Sequence, residues 1–215
     1  MAKKIVILGG GGFAREVAWL VADINRASVG DSWGIIGFLE QSPERAGQVM
    51  NGIPIIDMDE VARHLPNLYA VAAVGKPSLK ERAVMQAEEI GCSFATLIHP
   101  TVQMDTQTVS IGAGSTVCAG SILTVDVFIG KHVIVNLDCT VGHNSVIEDY
   151  VTISPGCHLS GYTTIRHSAY LGTGAVTIER REIGANAIIG AGAVVVRDIP
   201  PNVTAVGVPA RVKVG

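Results

Sequence analysis

The sequence predicts two folds in series: a small parallel α/β unit over residues 1–97, then an all-β solenoid of stacked short strands over 98–215. Three observations predict this. Short apolar runs alternate with amphipathic helical stretches in the first hundred residues. From residue 111 onward, aliphatic side chains recur every six residues. Glycine makes up 25 of 215 residues and charged residues only 16%, against about 25% charged in an average domain, so much of the backbone is expected in tight corners.

The first half divides as follows. Ile5–Leu8 is a short apolar run, followed by Gly9, Gly10, Gly11 and Gly12. Phe13–Ala27 carries Val17, Leu20, Val21 and Ile24 on one side, a helical pattern. Ile35–Leu39 is a second strand, ending at Glu40 and Gln41. Asp57 with Glu60 is a start signal for a short helix. Tyr69–Val74 is a third strand. Ser78 with Glu81 is a second start signal, and Gly91 is the stop for that helix. Phe94–Ile98 is read as a last strand.

In the second half, fourteen of the fifteen positions counted in sixes from Ile111 to Val195 are Ile, Leu or Val; the exception is Thr177. Two residues before these anchors the side chain is nearly always small or β-branched, as at Ser115, Ser121, Cys139 and Ala169, with Arg181 the exception. Gly follows six anchors directly and Asn136 follows one, which places φ > 0 corners there. Each unit then buries one large and one small side chain, and only stacking hides them. Three units per coil make an 18-residue turn, and fifteen units make about five coils. Residues 18 apart stack in rows, so Cys139 lies under Cys157 as a buried thiol pair. At Thr177, followed by Glu179, Arg180, Arg181 and Glu182, the chain is expected to leave the regular stack.

Several classes are excluded at this level. The hydrophobic content of 48% excludes disorder, and a net charge of −3 gives no basic footprint for nucleic acid. No apolar run reaches the roughly 18 residues of a membrane span, and Ile5–Leu8 is too short for a signal peptide, so a cytoplasmic protein is expected. Four cysteines without a CxxC pair suggest neither zinc knuckle nor disulfide framework.

Four stretches carry a resemblance: Ile7-Leu8-Gly9-Gly10-Gly11-Gly12-Phe13-Ala14-Arg15-Glu16-Val17, Ile36-Gly37-Phe38-Leu39-Glu40, Val135-Asn136 through Val141-Gly142-His143-Asn144, and Val206-Gly207-Val208-Pro209-Ala210-Arg211. Together they resemble the hexapeptide-repeat sugar O- and N-acetyltransferases related to sialic acid O-acetyltransferase, in particular those acting on nucleotide-linked 4-amino sugars. The resemblance implies a truncated Rossmann-like domain and a left-handed parallel β-helix. It also implies acetyl transfer from acetyl-CoA to a sugar amine, a homotrimer with sites between subunits, and no metal. The alternative is O-acetylation of a sialic-acid-like hydroxyl.

On that resemblance His143 is the catalytic base, a role that suits an imidazole near neutral pH. Asn144 stands where relatives carry Asp or Glu, so it can hold a tautomer but supplies no charge; Asp126, 18 residues before and so one coil away, is either a surrogate partner or, the reading favoured here, a solvated corner carboxylate. Asn136 is implied in sugar contact. Gly10, Gly11, Gly12, Phe13 and Arg15 form the phosphate-facing loop and helix start, with Glu40 and Gln41 for base or ribose and Lys76 for the diphosphate. Thr152, where some relatives have His, joins Gly161, Thr173 and Ala191 on the acetyl-CoA path, with the Gly161 N–H facing the thioester oxygen. Two other classes fit less well. A zinc hydratase of the γ-carbonic-anhydrase type needs three suitably spaced histidines, which His132, His143, His158 and His167 do not provide. An NAD enzyme or nucleotide-sugar sensor leaves the His143 corner without a purpose.

Overall fold

The computed structural model describes residues 2–30, 32–40 and 43–213. The chain forms two compact units, Met1–Pro100 and Thr101–Gly215.

The first unit is a six-stranded sheet with helices. β1 (Lys3–Leu8), α1 (Gly12–Ala27) and β2 (Trp33–Leu39) come first; β3 (Val49–Met50), β4 (Ile53–Ile56), α2 (Met58–Ala62), β5 (Leu68–Ala72), α3 (Pro77–Glu89) and β6 (Ser93–Phe94) follow. The spatial order is β3-β4-β2-β1-β5-β6. Every pairing is parallel except β3 with β4. Ile5, Ile7, Val17, Leu20, Val21 and Phe38 make the core, as the helical spacing in α1 requires.

Three details differ from the sequence reading. The β3–β4 hairpin was not anticipated, although Asn51 and Gly52 sit at its turn with φ of 50° and 79°, the backbone that an Asn-Gly pair favours. α3 is capped by Lys76 without a side-chain bond and has Pro77 in its first turn, so Ser78 lies inside the helix instead of starting it. The stretch Phe94–Ile98 is two strands, Ser93–Phe94 and Leu97–Ile98. Gly91 ends α3 as expected: its φ is 90°, its N–H donates to Glu88 O, and the Cys92 N–H donates to Ala87 O.

The second unit consists mostly of two-residue strands in parallel ladders, with the three-residue strand Thr204–Val206 paired antiparallel to Arg211–Val212 at its end. One ladder runs Gln103–Met104, Ile122–Leu123, Thr140–Val141, His158–Leu159, Val176–Thr177, Val194–Val195. A second runs from Ser110–Ile111 to Glu182–Ile183, and a third from Thr116–Val117 through Thr152–Ile153 to Thr204–Val206. Partners such as Phe128 and Val146, or Thr140 and His158, are 18 residues apart, the pattern of a parallel β-helix. Anchors such as Val117, Leu123, Ile129 and Ile147 are fully buried, and so are the small positions Ser115, Ser121, Cys139 and Cys157. Cys139 and Cys157 are free thiols, each with Sγ 3.2 Å from a carbonyl oxygen, of Ser154 and Gly172 respectively. A hydrogen bond with the Cys157 thiol, together with burial, pushes the Cys139 thiol far above the ordinary range, which makes it inert.

The left-handed corners do not fall directly after the anchors. They fall three residues after: Gly120, Asp126, His132, Asp138, Asn144, Tyr150, Gly156, Tyr162 and Arg180 all have positive φ, and Asn136 does not. The glycines just after the anchors meet a different need. A Cβ on Gly112 would stand 2.6 Å from the Gly130 carbonyl carbon, and one on Gly172 would stand 2.6 Å from Ala191 N. These positions touch the backbone of the next coil, so they are empty for clearance.

The expected departure at Thr177 does not occur. Val176–Thr177 and Glu182–Ile183 keep their ladder partners. Thr177 replaces an aliphatic anchor without penalty because its Oγ1 lies 3.1 Å from Thr163 Oγ1 and 3.3 Å from the Ser160 N–H. Arg181 is held outside by Asp198 at 3.3 Å.

Candidate functional site

In the second unit, His143 occupies an exposed corner after the strand Thr140–Val141. Its Nδ1 lies 3.0 Å from Asn144 Oδ1. Asn144 reaches it from a left-handed corner with φ of 57°, a backbone that Asn tolerates. An amide oxygen there accepts from Nδ1–H, which leaves the lone pair on Nε2. Gly161, one coil on, is buried beneath the ring: a Cβ there would stand 2.6 Å from both Cε1 and Nε2. Tyr162 meets the ring edge-on, with centroids 5.1 Å apart and planes at 89°. The Arg180 guanidinium lies 4.4 Å over the Tyr162 ring.

The other residues expected on this unit are spread over different corners. Asp126 is at the left-handed corner one full coil before Asn144, and its backbone N–H donates to Thr108 Oγ1; the side chain found on the imidazole is that of Asn144. Asn136 turns its Oδ1 onto the N–H of Leu137 at 2.8 Å, so its own corner uses the side chain. Thr152 is only 3% exposed, on a different ladder from the Thr140–Val141 strand. Thr173 and Ala191 are exposed and stacked at one corner, where the Gly192 N–H donates to Thr173 O.

In the first unit, the loop after β1 sits at the carboxyl ends of the strands. The order β2-β1-β5 makes this the point where the chain reverses direction across the sheet, the usual ligand crevice of such sheets. Gly9 needs its φ of 117° and lies against Val74 and Ala73 of the loop after β5. Gly11 caps α1 with no side chain bound, and a Cβ there would meet nothing. The N-terminal end of α1, where the helix dipole is positive, is thus open on the Gly11 side. Phe13 is half-buried, and Arg15 and Lys76 are exposed. Gly10 is pressed against the Glu40 carboxylate, which Arg45 binds at 2.6 Å. Arg45 was missed by sequence reasoning, since nothing local marks it. Gln41 lies outside the described residues. A cleft of about 720 Å³, lined by Leu8, Leu39, Glu40, Met58 and Gln86 among others, opens at this end of β1 and β2, a volume in the range of small-ligand sites.

Lys80, on α3, was also missed. It is fully buried, and burial drives its ammonium well below the usual lysine range. Its spacing from Val84 and Ala87 is the signal that was available, since all three share the buried face of α3. Among the described residues, no group of three or more His, Cys, Asp or Glu side chains is placed to hold a metal ion, and no helix is long and apolar enough to cross a membrane.

An α/β unit joined to an 18-residue β-helix with an exposed His corner defines a hexapeptide-repeat acyltransferase. The sequence profile of the family described as PglD N-terminal domain matches residues 4–87. Over 213 residues the chain is 30% identical to GDP-perosamine N-acetyltransferase of Escherichia coli O157:H7, covering 95% of this chain and 94% of that protein. Among solved structures it is similar to PerB from Caulobacter crescentus in complex with CoA and GDP-perosamine, with TM-score 0.87, 30% identity and 98% and 97% of the two chains covered. It is equally similar to the acetyltransferase domain of PglB from Neisseria gonorrhoeae FA1090 in complex with acetyl coenzyme A, with TM-score 0.88, 32% identity and coverage of 99% and 100%. The chain belongs to this family of acetyl-CoA-dependent sugar N-acetyltransferases.

Proposed function

We propose that the protein transfers the acetyl group of acetyl-CoA to the amino group of a nucleotide-linked amino sugar, in the synthesis of a surface glycan precursor. The likeness along the whole chain to GDP-perosamine N-acetyltransferase carries this reading. The first unit (residues 1–97 in the sequence reading) takes the nucleotide, with the Gly10–Gly12 loop and the start of α1 on the diphosphate. Phe13, Arg15, Glu40 and Lys76 line that side, and the sugar reaches Asn136. The second unit is a left-handed β-helix of about five coils that carries acetyl transfer. Acetyl-CoA runs past Thr152, Gly161, Thr173 and Ala191. The working form is a cytoplasmic homotrimer with sites between subunits.

The chemistry is direct. The sugar amine attacks the thioester carbonyl, and His143 Nε2 takes the proton released from nitrogen. The C–N bond forms, the tetrahedral intermediate collapses, and the C–S bond breaks. The imidazolium returns the proton to the departing CoA sulfur. Asn144 holds Nδ1–H and so keeps Nε2 as the acceptor. The Gly161 N–H is the donor to the thioester oxygen.

The test is thiol release from acetyl-CoA with GDP-, UDP- and dTDP-linked 4-amino sugars, wild type beside His143→Ala. All four cysteines are buried, so the folded protein contributes no background to a thiol reagent. Turnover with one of the sugars, lost in the variant, is the expected result. No turnover with any amino sugar overturns the amine acceptor and turns the search to hydroxyl acceptors.

A further inference from the structure

The column that carries His143 continues through the next two coils with residues of an unusual kind. Asn144, Tyr162 and Arg180 hold φ of 57°, 57° and 59° at successive left-handed corners. Asn suits this backbone; Tyr and Arg do not. Tyr150 is the other bulky aromatic at such a corner, but it is half-buried between the His132 and His167 rings. Tyr162 is 43% exposed, so burial offsets little of its strain. What Tyr162 gains is contact along its own column. Its backbone N–H donates to His143 O at 2.8 Å, as other corners do one coil back; particular to Tyr162 are its ring, which closes edge-on against the imidazole, and the Arg180 guanidinium, which covers that ring at 4.4 Å. Arg180 is fixed in turn by its own N–H on Gly161 O at 3.0 Å. Strained, exposed residues that persist without a packing reason point to a role.

We propose that Tyr162, clamped by Arg180, is a positioning residue for His143. Asn144 fixes the ring at Nδ1 and Gly161 clears one face. Neither stops the imidazole from swinging outward into solvent, and the Tyr162 ring closes that route. The inference rests on the reading of His143 as the base. Arg180 acts here by covering an aromatic ring with its guanidinium.

The experiment compares kcat and KM for acetyl-CoA and for a GDP-linked 4-amino sugar in wild type, Tyr162→Phe, Tyr162→Gly, Tyr162→Asn, Arg180→Gly and His143→Ala, with melting curves for each. Gly and Asn both accept the left-handed backbone, so both variants are expected to fold with Tm at or above wild type. Their kcat is expected to fall about 10- to 100-fold with KM within about twofold, the pattern of a misplaced catalytic group. Tyr162→Phe keeps the ring and retains kcat; Arg180→Gly loses about three- to tenfold. Wild-type kcat in Tyr162→Gly and Tyr162→Asn overturns the inference. So does a Phe variant as damaged as Gly, which assigns the work to the hydroxyl, or a loss carried entirely by KM, which makes Tyr162 a ligand contact. Turnover that survives His143→Ala overturns the base reading itself and removes the basis of this inference.

Discussion

Gly161→Ala separates clearance from fold at the proposed base. The glycine is not in the left-handed region, so alanine is allowed by its backbone. The obstacle is the imidazole, 2.6 Å from the new methyl at Cε1 and Nε2 and 3.0 Å at Cδ2. Ordinary contact begins near 3.4 Å, so the ring must retreat by about 0.8 Å. Displacing a reacting group by about 1 Å costs on the order of 100-fold in rate, or about 2.7 kcal/mol of barrier. Stability moves little, because the new methyl meets the far end of a side chain and not backbone, and Gly→Ala at a permitted φ itself stabilises by about 0.4–1 kcal/mol. Gly142→Ala is the counterpart. Its methyl would stand 2.6 Å from Gly161 N and 2.8 Å from the Ser160 carbonyl carbon. Backbone cannot yield, so about 1–3 kcal/mol of stability is lost, a fall of several degrees in Tm for a chain of this length. The assays are steady-state thiol release and thermal melting. A Gly161→Ala enzyme with kcat within twofold of wild type, or one that loses as much stability as Gly142→Ala, refutes the reasoning.

Three further outcomes are expected. Asn144→Ala removes the acceptor on His143 Nδ1; a net hydrogen bond of about 0.5–1.5 kcal/mol predicts a roughly two- to tenfold drop in kcat, read in the same assay. For Lys80, burial holds the folded-state pKa well below its usual value. From that folded value up to about 10.4 the unfolded chain binds the extra proton, so stability rises with pH by up to about 1.4 kcal/mol per unit. Denaturant titrations from pH 7 to 10 should show this slope in wild type and lose it in Lys80→Met. Glu148 runs the other way. Partial burial opposes its ionisation, but Arg166 at 2.8 Å and the His167 N–H outweigh it and leave the carboxyl below its usual value. Its contribution is therefore present above about pH 4 and lost as pH falls through the lower folded value. The Tm gap between wild type and Glu148→Gln should narrow as pH falls below about 4; a gap that is absent at pH 7, or that widens in acid, counts against the pairing.

Much of the fold was legible because periodicity is a direct image of burial. A six-residue repeat of aliphatic anchors has no stable form except stacked coils, and the 18-residue register follows by counting three units. The β3–β4 hairpin was legible but unread. Met50-Asn51-Gly52-Ile53 carries the Asn-Gly signal, yet its flanking strands are too short to show alternation of their own. Thr177 was overread: a polar anchor looks like a defect in one dimension, and only the cross-coil partner Thr163 shows that it is satisfied. Lys80 was legible but unread, since its spacing from Val84 and Ala87 marks the buried face of α3; the Glu40–Arg45 pair was not, since the two are five residues apart across an irregular stretch with no periodicity to bring them together.

The corner glycines show most clearly why the site resisted the sequence. Glycine answers two demands, a left-handed φ and the absence of a Cβ, and the letter does not say which. Gly156 and Gly174 supply φ of 68° and 71°; Gly112, Gly142 and Gly172 supply space. Reading all of them as φ > 0 put the corner two residues early, and Asn136 with it. Once the left-handed position is fixed three residues after each anchor, the non-glycine residues there become informative, because each tolerates a strain that glycine would remove. Most are Asn, Asp, Ser or His, which bear it easily. Tyr150, Tyr162 and Arg180 do not: Tyr150 is half-buried between two histidine rings, whereas Tyr162 lies against the histidine that the family resemblance marks as the base, with Arg180 over its ring. An exposed strained residue needs a compensating contact or a purpose, and here the compensating contact is with that histidine.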